Sequence, residues 1–272
     1  MTVSEFIKML NLPQATVAAV MASEPPKNHT ELKNSFYQKT ELFDDFAKAD
    51  EKGLSVLCLY LQWACSDTKE EYEKRGIPEE YFFDSMKDIT IWCEDYLEKH
   101  DTPGFNEAGW LGRSLRLEVI RIGRLQFEPT TLKQAVELDG ETYPDGTPIL
   151  DVHIPAGEPL DIEASLDSMS RAPEFFKTYF GREFKLLHCH SWLLSPNLQK
   201  LLPEKSRIIC FQNLFTVYKT DNEERQAEER VFGFLSDDPH RYPESTSLQR
   251  AVKEHLLSGK SVPMGSGVRK IK

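Results

Sequence analysis

Apolar residues recur at helical spacing through the first hundred positions and at strand spacing only after them. Between Val3 and Ala22, Phe6, Ile7 and Leu10 share one helical face before Pro13 interrupts, and Leu32, Phe36, Leu42, Phe43 and Phe46 continue the period. Gly53 precedes Leu54 to Trp63, which is apolar nearly all round and predicts a buried helix. Pro78 suits the first turn of another helix reaching about Lys99, with Phe82, Phe83, Ile89, Trp92, Cys93 and Tyr96 as its inward positions. Thr102-Pro103-Gly104 is a stop signal. The first third reads as all-α.

Strand patterns follow. Ile122 to Phe127 alternates and stops at Pro129, and Ile149 to Ile154 is a short apolar run stopped by Pro155. Between them, Asp-Gly and Pro punctuation from Leu138 to Pro148 predicts a hairpin-like connection. Leu160 to Tyr179 is helical in period, with Asp161 and Glu163 placed at the positive end of its dipole. Phe184 to Leu194, Arg207 to Val217 and Arg230 to Leu235 are expected strands. Ser195-Pro196 is expected to open a short helix through Leu202, and Ser247 to Leu257 a last helix stopped by Gly259. The basic, Gly-rich stretch from Met264 fits either a flexible end or a final strand. The expected fold class is α+β: an all-α N-terminal domain over residues 1–106, then a mixed α/β domain over 107–272.

Charge sharpens that division. The net charge is −11, and residues 1–106 hold 11 Lys and Arg against 20 Asp and Glu, while residues 107–272 hold 22 against 24. An acidic chain is repelled by nucleic acid and by anionic membranes, so neither is an expected partner. The near-neutral second part leaves room for a phosphate-bearing ligand. Cys58, Cys65, Cys93, Cys189 and Cys210 form no C-x-x-C pair, which argues against a disulfide framework and a zinc knuckle. The opening residues lack a basic, uninterrupted apolar signal segment, and a cytoplasmic location is expected.

Two segments carry candidate chemistry. Asp151 to Asp161 runs strand, Gly/Pro loop, helix start, and a helix start offers unpaired amides to an anion. Gly157 would permit close approach to the backbone, while Glu158 and Asp161 would compete with a phosphate. Neither a P-loop nor a dinucleotide fingerprint is present. In the second segment, a strand would turn His188, His190 and Trp192 to one side and Cys189 to the other. An imidazole titrating near neutrality suits a general base, and His153 is a third candidate. Two His at i and i+2 could also ligate zinc, but spacing identifies no third ligand, so no metal is expected. Cys189, facing away from both histidines, is not an activated nucleophile; Cys58 and Cys210 read as small core residues. Arg113, Arg116, Arg121 and Arg124 could bind an anion, but pairing with Glu107, Glu118 and Glu128, or docking on the acidic helices, is preferred.

Ile122-Gly-Arg-Leu-Gln-Phe-Glu128, His153-Ile-Pro-Ala-Gly-Glu-Pro-Leu160, His188-Cys-His-Ser-Trp-Leu-Leu194, Leu201-Leu-Pro203 and Ile209-Cys-Phe-Gln-Asn213 together resemble a bacterial family of acyltransferases. Its members join a helical N-terminal domain to a C-terminal domain like that of the GNAT N-acyltransferases, with a central, mostly antiparallel sheet. The resemblance implies transfer of an acyl group from acetyl-CoA or another acyl-CoA to a small-molecule amine. It also implies that Ile149 to Ile154 splays from Lys185 to Trp192. His188, His190 or His153 would then serve as base, and Ile154, Ala156, Gly157, Glu158, Leu160 and Asn197 would contact the coenzyme. The usual Gly-rich phosphate loop is replaced by Pro155 to Leu160, with only Gly157 matching in kind. A GNAT-like fold without catalysis, serving as a binding module for a small ligand or a protein, is the alternative. Neither reading fixes an oligomeric state.

Overall fold

The computed structural model describes residues 1–271, which fall into two compact units. The first comprises Met1–Ile122 with Pro155–Gly157, and the second Gly123–Ile154 with the chain from Glu158 onward.

The first unit contains α1 (Val3–Leu10), α2 (Gln14–Ala22), α3 (His29–Gln38), α4 (Glu41–Ala49), α5 (Leu54–Trp63), α6 (Lys69–Lys74), α7 (Glu79–His100), α8 (Ala108–Leu115) and the short strand β1 (Ile120–Ile122). A capping box starts α1: Thr2 Oγ1 accepts from the Glu5 amide at 3.2 Å, and the Glu5 carboxylate accepts from the Thr2 amide at 2.8 Å. The all-round apolar pattern of α5 has the expected outcome, because Leu57, Leu59 and Leu61 are wholly buried. Each such side chain contributes about 1.5–3 kcal/mol through burial. Aromatic rings complete this core, with Phe36 stacked on Trp63 at 5.0 Å and Phe43 on Tyr60 at 5.8 Å. Gly53 is obligatory before α5: its φ is +63°, and a Cβ there would lie 1.7 Å from the Phe105 carbonyl oxygen. On α7, Phe82, Ile89, Cys93 and Tyr96 are buried, whereas Phe83 and Trp92 are half-buried.

The second unit contains β2 (Leu125–Thr131), β3 (Val136–Leu138), β4 (Glu141–Tyr143), β5 (Pro148–His153), α9 (Ile162–Phe180), β6 (Leu186–Ser191), α10 (Leu198–Leu201), α11 (Arg207–Gln212), β7 (Thr216–Asp221), α12 (Gln226–Phe232), α13 (Ser247–Leu257) and β8 (Met264–Lys270). Within it the main sheet runs β2-β5-β6-β8-β7, and β3-β4 is a separate hairpin. Among these described strands the pairing is mostly antiparallel; β5 and β6 run parallel, joined by the α9 crossover that a parallel pair requires. The Gly-rich end of the chain is thus an interior strand. Its glycines let β8 approach the turn after β6, since a Cβ at Gly265 would lie 2.4 Å from the Leu194 carbonyl oxygen.

Five expectations are corrected. Ile122 to Phe127 is not one strand: Gly123, at φ +68°, turns the chain between β1 and β2, and β2 continues through Pro129 to Thr131. Arg207 to Val217 is α11 followed by β7. The Ser206 side chain caps Ile209 at 3.3 Å and commits the apolar run Ile208 to Phe211 to a helix. Arg230 to Leu235 is the end of α12, stopped by Gly233 at φ +81°. The strand over Phe184 to Leu194 shortens to β6 because Trp192–Leu194 forms a 3₁₀ turn, which removes Trp192 from the histidine face. Cys210 is half-buried on α11 rather than a core residue.

Candidate active site

The β5–β6 ladder is three residues long: Ile149 faces Leu186, Leu150 faces Leu187 and Asp151 faces His188. It ends there, although β5 continues to His153 and β6 to Ser191. Beyond that point β6 stays paired with β8, His190 opposite Ser266 and Ser191 opposite Gly265, while β5 stays paired with β2, His153 opposite Gln126. Two adjacent parallel strands therefore part company inside the sheet, just past Asp151 and His188.

Strand alternation sends polar side chains to one face at this place. Asp151 and His153 come from β5, His188 and His190 from β6, Glu128 from β2 and Ser266 from β8. A bulge between Val217 and Lys219 on β7 brings in Tyr218. Asp151 Oδ1 lies 2.8 Å from His188 Nδ1, and the other nitrogen of that ring lies 3.1 Å from the Tyr218 hydroxyl. His190 Nδ1 lies 2.8 Å from Ser266 Oγ. His153 Nε2 lies 3.1 Å from Glu128 Oε2. Each imidazole thus has a partner that can fix its orientation and tautomer. Burial pushes the Tyr218 hydroxyl above its usual pKa. Cys189, on the opposite face, is wholly buried, and that burial pushes its thiol well above the usual range, so it is no nucleophile.

The loop after β5 is divided between the units: Ile154 and Glu158 belong to the second, and Pro155–Gly157 to the first. Ala156, Gly157 and Glu158 are exposed and Leu160 is half-buried. Gly157 has φ +86°, and a Cβ there would come within 3.6 Å of Ile91. Arg124 is buried, and its guanidinium donates to the Glu158 carbonyl at 2.8 Å and the Pro159 carbonyl at 3.0 Å. It holds the Glu158–Pro159 stretch in place. At the start of α9 the Asp161 carboxylate accepts from the Ala164 amide at 2.8 Å, so one first-turn donor is already engaged. The Asn197 amide donates to the Ser261 carbonyl at 2.8 Å and ties the segment before α10 to the segment before β8. Among the other arginines, Arg116 pairs with Glu118 at 3.0 Å and Arg113 lies over the Trp110 ring at 5.2 Å.

Asp151, Glu128, Tyr218 and Ser266 were not among the residues the sequence singled out for this chemistry. Their roles depend on strand register, which spacing along the chain does not show. Register also supplies the carboxylates that spacing could not: single donor atoms of Glu128, Asp151 and His153 lie within 4.8 Å of one another, a spacing that admits a divalent cation.

Residues 119–269 match the model of a GNAT-like C-terminal domain, and residues 1–117 match that of an N-acyltransferase N-terminal domain. The chain belongs to the family defined by that GNAT-like domain, here preceded by the N-acyltransferase N-terminal domain. No curated protein matches the chain. Among solved structures, an acyltransferase in complex with decanoyl-CoA and teicoplanin is similar at 24% identity and a TM-score of 0.83, covering 99% of this chain and 87% of that one. An acyltransferase in complex with CoA and 10C-teicoplanin gives the same identity, coverage and score. A mutant acyltransferase in complex with octanoyl-CoA gives a TM-score of 0.82 at 24% identity and the same coverage. At that identity the likeness shows the shared fold.

Proposed function

We propose that the protein transfers an acyl group from acyl-CoA to the amine of a small-molecule acceptor. The observation that carries this reading is the parting of β5 and β6 immediately beyond Asp151 and His188, with His153, His188 and His190 on the adjoining face. A separated pair of strands accommodates a narrow, extended arm such as pantetheine and offers it backbone donors and acceptors. Amides near Ile154 would hold the arm and polarise the thioester carbonyl, whose oxygen gains negative charge as the amine attacks. The C–N bond forms, the C–S bond breaks, the CoA sulfur leaves as a thiolate, and one ammonium proton passes to an imidazole of the face. No acyl-enzyme is needed, in keeping with the inert Cys189.

The acyltransferase neighbours hold decanoyl-CoA and octanoyl-CoA, which makes medium-chain donors the first to test. A second reading rests on Asp161, whose carboxylate engages the start of α9 where a phosphate would be expected. On that reading the same fold is a binding module without turnover. Titration calorimetry with CoA, acetyl-CoA, octanoyl-CoA and decanoyl-CoA tests the first reading. Saturable binding, tighter for one acyl length than for CoA itself, is expected; no heat at millimolar ligand would remove the coenzyme. Binding without release of free thiol in the presence of amines would favour the binding module.

A further inference from the structure

Asp151, His188 and Tyr218 form a run of two hydrogen bonds whose direction is set at one end. A carboxylate only accepts, so Asp151, with Oδ1 2.8 Å from Nδ1, holds the proton of neutral His188 on that nitrogen. Nε2 of His188 is then an acceptor, and the Tyr218 hydroxyl 3.1 Å away donates to it. A hydroxyl that has given its one hydrogen still carries lone pairs that accept. The ring of His188 is half-buried with both nitrogens engaged, so a further proton reaches it through the oxygen of Tyr218. His190 differs: it is exposed, and it lies on the part of β6 that has left the β5 ladder. Acyl transfer to an ammonium group strips two protons from the nitrogen. One must leave before attack, to free the lone pair, and one as the tetrahedral adduct collapses to the amide. The β6 face offers two acceptors of unlike exposure for them.

We propose that Tyr218 is a catalytic residue whose oxygen takes the second proton from the adduct nitrogen as its own hydroxyl proton passes to Nε2 of His188, with Asp151 positioning the ring. The chemistry of this relay rests on the acyl-transfer reading; its hydrogen bonds do not. Exposed His190 takes the first proton and returns it to solvent. In the second transfer an N–H bond of the adduct breaks and an O–H bond forms on Tyr218, while the original O–H bond breaks and an N–H bond forms on His188. The electron pair of the C–S bond leaves with the sulfur as thiolate. Tyr218 ends neutral, as it began. Burial, which pushes its hydroxyl above the usual pKa, works against a tyrosinate, and the concerted exchange forms none. The new positive charge rests on His188, 2.8 Å from the anionic Asp151, where a charge-assisted hydrogen bond stabilises it. His188 gives the proton back along the same path once the products have left.

Two measurements on the full chain test this. The first is ¹⁵N NMR of the protein labelled in its histidine rings, in which protonated, hydrogen-bonded and free nitrogens have distinct shifts. Neutral His188 is expected to be protonated on Nδ1, and its Nε2 signal to move to that of a free nitrogen in Tyr218→Phe. Protonation on Nε2, or an Nε2 signal unmoved by Tyr218→Phe, would overturn the relay. These spectra need no acyl donor, so their failure is distinct from failure of coenzyme binding. The second is turnover of octanoyl-CoA with an amine in light and heavy water. Tyr218→Phe uncovers Nε2 of His188, so a ring that took the proton directly would keep or raise its kcat. The relay instead predicts kcat lowered about 100-fold, with KM for octanoyl-CoA within a factor of two. It also predicts a larger solvent isotope effect in the wild type than in Tyr218→Phe, because two protons move together only when the hydroxyl is present. An unchanged kcat, or equal isotope effects, would overturn the assignment. Absence of thiol release in the wild type would remove the acyl-transfer reading, and the chemistry of the relay with it.

Discussion

Asp151 and His188 are register partners in the parallel β5–β6 ladder, and their side chains meet at 2.8 Å at the last rung before the strands separate. The contact that orients a histidine is thus also the point where the sheet opens. Asp151→Asn keeps the shape but exchanges an acceptor-only carboxylate for an amide. A hydrogen bond to a charged group is worth about 1.5–3 kcal/mol. Steady-state kinetics should show kcat reduced about 10- to 100-fold, with KM for acyl-CoA within a factor of two. A loss confined to KM would place Asp151 in binding instead.

The interior position of β8 makes a stability prediction at Gly265. A Cβ there would meet the Leu194 carbonyl oxygen at 2.4 Å, and backbone cannot swing aside as a side chain can. Gly265→Ala should destabilise the second unit by about 1–3 kcal/mol, as overpacking generally does. Urea unfolding followed by fluorescence checks this, with Gly259→Ala, where a Cβ meets nothing within 4 Å but φ is +76°, as a strain-only comparison.

The ion-pair network under α12 predicts a pH dependence. Burial pushes the Glu228 carboxyl up, but hydrogen bonds from Arg225 at 2.7 Å and Tyr242 at 2.7 Å outweigh it and hold the group below the usual carboxylate range. Its folded pKa lies below its unfolded one. The stabilisation is therefore complete above the unfolded value and is lost as pH falls through the folded value. Glu228→Gln should be less stable near neutrality by about 1.5–3 kcal/mol and should lose less on acidification. Thermal unfolding from pH 7 down to pH 3 reads both effects.

Glu128, Asp151 and His153 could gather a cation, yet their donor atoms already serve His153–Glu128 and Asp151–His188 bonds. Acyl transfer by direct attack calls for no metal there. Activity should survive EDTA unchanged, and added zinc should inhibit by displacing those bonds. Loss of activity with EDTA and its return with zinc would reassign the three residues as ligands.

Local signals made the helical elements legible. Gly53 and the all-round apolar run fixed α5, and Thr246 with Gln249 form the capping box that starts α13 where its period begins. The run Ile208 to Phe211 was illegible because four apolar residues suit a buried strand or a buried helix equally, and the Ser206 cap decides. The three histidines could be named because each falls beside a turn signal on a strand-like run. Their partners could not. Tyr218 is separated from His188 by β8, and its place depends on a bulge; Asp151 reaches His188 only through a parallel pairing across a 19-residue helix. Trp192, assigned to the histidine face by simple alternation, left it because the strand ended one residue earlier.

Acyl transfer is tested most directly by incubating the full chain with octanoyl-CoA or decanoyl-CoA and a panel of amines, with free thiol and amide measured together. Equal amounts of thiol and amide are expected for at least one acceptor, both abolished in His190→Ala. Thiol release without amide would make the chain a thioesterase, and neither product across the panel, despite binding of the acyl-CoA, would make it a binding module.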